Sequence, residues 1–121
     1  MTDDVDEPME TETNASQTPV RLEDTADATA LLETCDLVLL EFVTDGCGIC
    51  ASMEPVLGSV ARSAPGTVGI LNAGHALDLA EEFDVRRVPT LVVVKDGEEV
   101  DRLDDGFQPA ETLVELLETH T

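Results

Sequence analysis

The chain has neither tryptophan nor tyrosine, and its aromatic residues are Phe42, Phe83 and Phe107 alone. A core must therefore be assembled from Val, Leu, Ile and Ala, and the stacking platforms that bind single-stranded nucleic acids lack their parts. Positive charge is equally scarce. Lys95 and the arginines at 21, 62, 86, 87 and 102 stand against 27 acids in 121 residues, a formal charge of −21. Only Arg86 and Arg87 are adjacent. Phosphate backbones and anionic lipid surfaces are held by clustered bases, so the composition speaks against nucleic-acid and membrane partners. No stretch approaches the roughly 20 apolar residues of a spanning helix. Met1–Thr18 has neither the basic start nor the apolar run of a secretory signal. It carries six acids and no base, and reads as a disordered acidic tail over residues 1–18 of a cytoplasmic protein. Three cysteines, an odd count, are too few for a disulfide scaffold.

What is present suits one folded domain over residues 19–121. Hydrophobic residues make up 42% of the chain, too many for a disordered acidic polymer. Pro19–Glu23 reads as a short strand. Asp24 or Thr25 is placed to cap a helix reaching Thr34. The run LVLLEFV, Leu37–Val43, is almost continuously apolar, as in a strand covered on both faces. Met53, Leu57, Val60, Ala61 and Ala64 recur at helical spacing, predicting a helix over Cys47–Ser63 that Pro55 should kink. Thr67–Asn72 is a second buried strand. A short amphipathic helix follows on Ala76, Leu79, Ala80 and Phe83. LVVVK after Pro89, the turn dipeptide Asp96-Gly97 and Glu98–Leu103 spell a hairpin. Leu113, Leu116, Leu117 and His120 define the buried side of a last helix, with Pro109 near its first turn. Strands alternating with helices, closed by a hairpin and a helix, predict an α/β fold with a mixed sheet covered on both faces.

The chemistry gathers at Cys47-Gly48-Ile49-Cys50. Only a thiolate attacks a disulfide. The first turn of a helix offers unpaired N–H groups and the positive end of the dipole, which stabilise one. Cys47 falls where the strand–turn–helix reading puts that turn, and Cys50 lies about one turn on, within reach of the first sulfur. The pair supplies a nucleophile and a resolving thiol, and Gly48 leaves the approach open. Half of a zinc site has the same spacing, but Cys35, His75 and His120, the remaining soft ligands, are scattered. Glu41 is the one acid in the apolar run, where burial disfavours its charged form; the alternative is a strand-edge glutamate reaching solvent. Cys35 reads as a small apolar residue at a helix-to-strand junction, with a regulatory or intermolecular disulfide as the alternative.

In order and spacing, Leu40-Glu41-Phe42, Gly46–Cys50, Pro55, Phe83-Asp84-Val85, Val88-Pro89-Thr90, Lys95-Asp96-Gly97 and Gly106 resemble the thioredoxin family, over about Pro19 to Thr119. The resemblance implies a thioredoxin-like fold with a mixed sheet of four or five strands flanked by four helices. It implies thiol–disulfide exchange with protein disulfides, with Cys47 attacking, Cys50 resolving and Glu41 handling the resolving proton. It also implies a cis bond before Pro89, facing the cysteines, and a substrate groove formed by Gly46, Gly48, Ile49, Val88, Pro89 and Gly106. No metal or organic cofactor is called for; electrons would come from a separate thioredoxin-reductase-like donor, to a chain acting as a monomer. Several positions depart from the family pattern. Gly46 replaces an aromatic, Val43 another, Ile49 a proline, Ala51 a basic residue, and Ile70 a lysine beside the buried acid. A non-catalytic peptide-binding module and a cysteine-based redox sensor are the rival readings.

The charge divides unevenly. Residues 21–121 keep −15 of it, so the domain itself is acidic. Acid-rich, lysine-poor surfaces resemble those of cytoplasmic proteins from extreme halophiles, where multimolar salt screens repulsion to about 3 Å or less.

Overall fold

The computed structural model describes residues 17–121. The acidic tail expected over 1–18 therefore lies, except for its last two residues, outside the described residues. Among the described residues the order is β1 (Val20–Leu22), α1 (Thr25–Thr34), β2 (Leu37–Val43), α2 (Gly48–Ser63), β3 (Thr67–Asn72), α3 (Leu77–Glu82), β4 (Thr90–Lys95), β5 (Glu98–Leu103) and α4 (Ala110–Thr119), with a single 3₁₀ turn at Ala73–His75. The strands form one mixed sheet in the order β1-β3-β2-β4-β5. β1 and β2 run parallel to β3, and β4 runs antiparallel to both β2 and β5.

β2 is central because its sequence can be buried on both faces. Successive side chains of a strand point to opposite faces. Leu37 and Leu39 join Met53, Leu57, Val60 and Ala61 of α2 and Leu113 and Leu117 of α4. Val38, Leu40 and Phe42 join Ala28 of α1 and Leu79 and Ala80 of α3. The few aromatics are concentrated here: the rings of Phe42 and Phe83 lie 5.9 Å apart, tilted by 54°. By the same alternation Glu41 belongs to the α2 face.

Local chemistry sets the ends of the elements. Asp24 caps α1, its carboxylate accepting from the Asp27 N–H at 3.0 Å. Asp96 and Gly97 both have positive φ, 51° and 84°, which a two-residue turn between twisted strands requires. Pro55 removes the N–H that would bond to the Ala51 carbonyl, yet α2 continues through it to Ser63. Three expectations are corrected. The first strand is shorter, Val20–Leu22. α2 begins at Gly48, because Cys47 keeps an extended backbone (ψ 107°) and serves as the N-cap. His120 is the C-cap of α4 rather than part of its last turn; half-buried, its ring Nε2 lies 3.2 Å from an Asp101 carboxylate oxygen on β5.

Candidate active site

The site forms where the carboxyl end of β2 turns into α2. Cys47 and Cys50 are joined as a disulfide, their Cα atoms 5.2 Å apart. As N-cap residue, Cys47 directs its sulfur at the first unpaired N–H groups of α2, and the Cys50 N–H donates to Cys47 Sγ at 3.1 Å. This donor and the helix dipole favour negative charge on that sulfur once the pair is reduced. The two sulfurs are not equivalent. Cys47 is half-buried and Cys50 is buried, so a large substrate reaches only the first.

Behind them lies Glu41, 1% exposed. Neither of its carboxyl oxygens has a hydrogen-bond partner among the described residues. Burial, with the negative charge of Glu54 adding to it and the positive charge of Arg21 opposing, pushes this carboxyl up to about 7. A group near neutrality can both take and return a proton under ordinary conditions. Glu41 lines an open cleft of about 550 Å³ together with Gly46, Cys47, Gly48 and Cys50. The solvent-reaching alternative for Glu41 is thus overturned: its side chain points into the α2 face, not out of the sheet edge.

The remaining groove residues come to the same end of the sheet by topology. β4 is antiparallel to β2, and Thr90 pairs with Phe42, so Val88 and Pro89 stand beside the end of β2 that leads to Cys47. The Val88–Pro89 peptide bond is cis. Pro89 is buried and Val88 half-buried, and the Thr90 hydroxyl donates to the Arg87 carbonyl at 2.6 Å, tying down the loop ahead of them. β5 returns antiparallel, with Leu103 opposite Leu91, which carries Gly106 to that end too. The Gln108 N–H donates to Met53 Sδ at 3.4 Å, holding the Gly106 loop against α2. Ile49 stands exposed on the first turn of α2. Val88, Pro89, Ile49 and Gly106 lie outside the cleft that Glu41 lines.

The chain as a whole is matched by known proteins. The thioredoxin family model covers residues 19–119. The chain belongs to the thioredoxin family. It is 40% identical over 84 residues to a thioredoxin of Staphylococcus saprophyticus, spanning 68% of this chain and 80% of that relative. A mutant thioredoxin from Halobacterium salinarum superposes with a TM-score of 0.82 at 31% identity, covering 88% of this chain and 94% of the other. The thioredoxin of Fasciola hepatica gives 0.73 at 27% identity, with 84% and 99% covered. This member of the thioredoxin family is a protein-disulfide oxidoreductase.

Sequence reasoning passed over four residues of the cleft. Arg21, Asp45, Glu54 and Asn72 all line the cleft. Asn72 donates to the Asp45 carboxylate at 3.0 Å, bracing the turn before the cysteines. Arg21 and Glu54 form an ion pair at 3.2 Å. Glu54 was readable in principle, since it follows Cys50 by four residues on one helix face. Arg21 was not, because strand order alone brings it there.

Proposed function

We propose that the chain reduces disulfides of protein substrates, with Cys47 as nucleophile, Cys50 as resolving thiol and Glu41 as the group that takes the resolving proton. The observation that carries this is the asymmetry of the pair: an accessible sulfur at a helix N-cap, a buried sulfur behind it, and in the same cleft a buried carboxyl without a partner among the described residues. The Cys47 thiolate attacks one sulfur of the substrate disulfide, forming a mixed disulfide and releasing the other sulfur as a thiolate. Cys50 gives its proton to ionised Glu41 and attacks Cys47 Sγ. The Cys47–Cys50 disulfide forms, the second substrate thiolate leaves, and two electrons have passed to the substrate. Glu41 then returns its proton to solvent or to the departing thiolate.

The substrate lies as an extended strand against the backbone at Val88, in a groove lined by Pro89, Gly46, Gly48, Ile49 and Gly106. The protein works in the cytoplasm as a monomer and needs no further cofactor. A separate thioredoxin-reductase-like enzyme restores its dithiol. An insulin disulfide-reduction assay in high salt tests the activity, and absence of turnover by folded protein with any dithiol donor would sink it. Cys50→Ser should accumulate stable mixed disulfides through Cys47, identified by peptide mass mapping; trapping through Cys35 would show that the nucleophile is misassigned.

A further inference from the structure

The row of residues that crosses the sheet at Glu41 has an unusual end. On one side Glu41 pairs with Leu91 of β4, and on the other with Ile70 of β3. Ile70 in turn pairs with Arg21 of β1. Residues in one cross-strand row share a face, so Arg21 lies on the α2 face two strands from Glu41, about 10 Å away between Cα atoms. A guanidinium on so long an arm spans much of that distance across Ile70. In the structure it is held at the cleft mouth by Glu54, with Nη2–Oε2 at 3.2 Å. Glu54 stands one helical turn beyond Cys50, the thiol whose proton Glu41 would take.

The charged and titratable groups lining this cleft are few. α2 contributes Glu54 and Cys50, its N-cap contributes Cys47, β1 contributes Arg21, and the turn after β2 contributes Asp45, already engaged by Asn72. β3 and β4 place only Ile70 and Leu91 beside Glu41. Among the described residues lining the cleft, Arg21 is the one base. The Arg21 and Glu54 side chains are 65% and 53% exposed, and an ion pair that open adds little to stability. Its field, however, reaches a carboxyl that has no partner among the described residues and lies in a medium that screens poorly.

We propose that Arg21 and Glu54 act as an opposed charge pair at the mouth of this cleft: Arg21 favours the ionised Glu41 that accepts the Cys50 proton, and Glu54 opposes it. Arg21 is thereby a positioning residue for the resolving step, acting through Glu41. This rests on the proton role given to Glu41 above. The electrostatics of the buried carboxyl agree in sign, Glu54 raising and Arg21 lowering it after burial itself. A merely structural pair behaves differently, since breaking it from either side would have the same effect.

The test is direct titration of Glu41 by carboxyl ¹³C NMR in the oxidised protein, which needs no turnover, alongside the pH dependence of the resolving rate. Arg21→Gln should move the Glu41 midpoint up by about half a pH unit or more, and Glu54→Gln should move it down by a similar amount. Arg21→Lys should stay near the parent, and the double variant should fall between the two singles. In an E41Q background, adding R21Q should leave the pH profile of the resolving rate unchanged. Midpoints that do not move, or that move in the same direction for both single variants, overturn the proposal. If the midpoints move oppositely but E41Q leaves that pH profile as in the parent, the charge pairing stands and the proton role of Glu41 falls.

Discussion

Glu41 occupies a site that is poor for a charge, and its ionisation should be visible in stability as well as in rate. Its carboxyl is raised from 4.5 to about 7. Below the lower value both folded and unfolded chains hold the proton, and Glu41 imposes no penalty. Between the two values the unfolded chain releases its proton while the folded chain keeps it, so stability declines as pH rises. Above about 7 the deficit is constant, on the order of 3 kcal/mol. Glu41→Gln should therefore exceed the parent by about 1–3 kcal/mol at pH 8 and match it near pH 4.5, as measured by urea denaturation of the oxidised proteins. An equal gap at both pH values would mean that folding does not raise this carboxyl above its unfolded value. The oddness of Glu41 is legible in the sequence, as a lone acid in an apolar run. Its lack of a partner is not, because that depends on what Leu91 and Ile70 bring to its flanks.

Elements are decided by a few backbone positions. Gly66, at the turn into β3, has φ +91°, and a Cβ there would meet the Leu37 carbonyl oxygen at 2.8 Å. Gly66→Ala should cost about 2 kcal/mol or more, through a strained backbone and a displaced β2–β3 approach. Gly58, within α2, has only Arg62 Nη1 at 3.7 Å beside it, so Gly58→Ala should stabilise by about 0.5–1 kcal/mol through helix propensity. Thermal melts by circular dichroism should shift in opposite directions, and a shared direction would refute the contrast. At this scale the sequence was a good guide. β2 and β3 have the limits that their apolar runs predicted, since continuous apolar runs report burial directly; β5, which has no buried residue, follows instead from the Asp96-Gly97 turn. The start of α2 was missed by one residue, because capping depends on a backbone angle that periodicity does not encode.

For the whole molecule the dominant quantity is charge. The domain carries −15 over residues 21–121, and the described ion pairs are few, most of them at the surface. Self-repulsion on this scale opposes compaction until salt screens it. The melting midpoint should rise steeply as potassium chloride goes from dilute buffer to multimolar, with the near-ultraviolet signal loosening at the low end. A midpoint independent of salt would refute the halophilic reading of the composition.

By itself the sequence determined the succession of strands and helices, the two-faced burial of β2, the placing of Cys47-Gly48-Ile49-Cys50 at a helix start, the Asp96-Gly97 hairpin and the acidic surface. Each of these follows from neighbours a few residues apart, where side-chain periodicity, capping and turn chemistry act. Only the tertiary structure decided the order β1-β3-β2-β4-β5, and with it the row Arg21, Ile70, Glu41, Leu91 and the bringing of the Val88-Pro89 and Gly106 loops to the end of the sheet that leads to the cysteines. Those contacts join residues far apart in the chain. They are selected by which faces pack together and by the register of paired strands, and a local pattern carries no record of either.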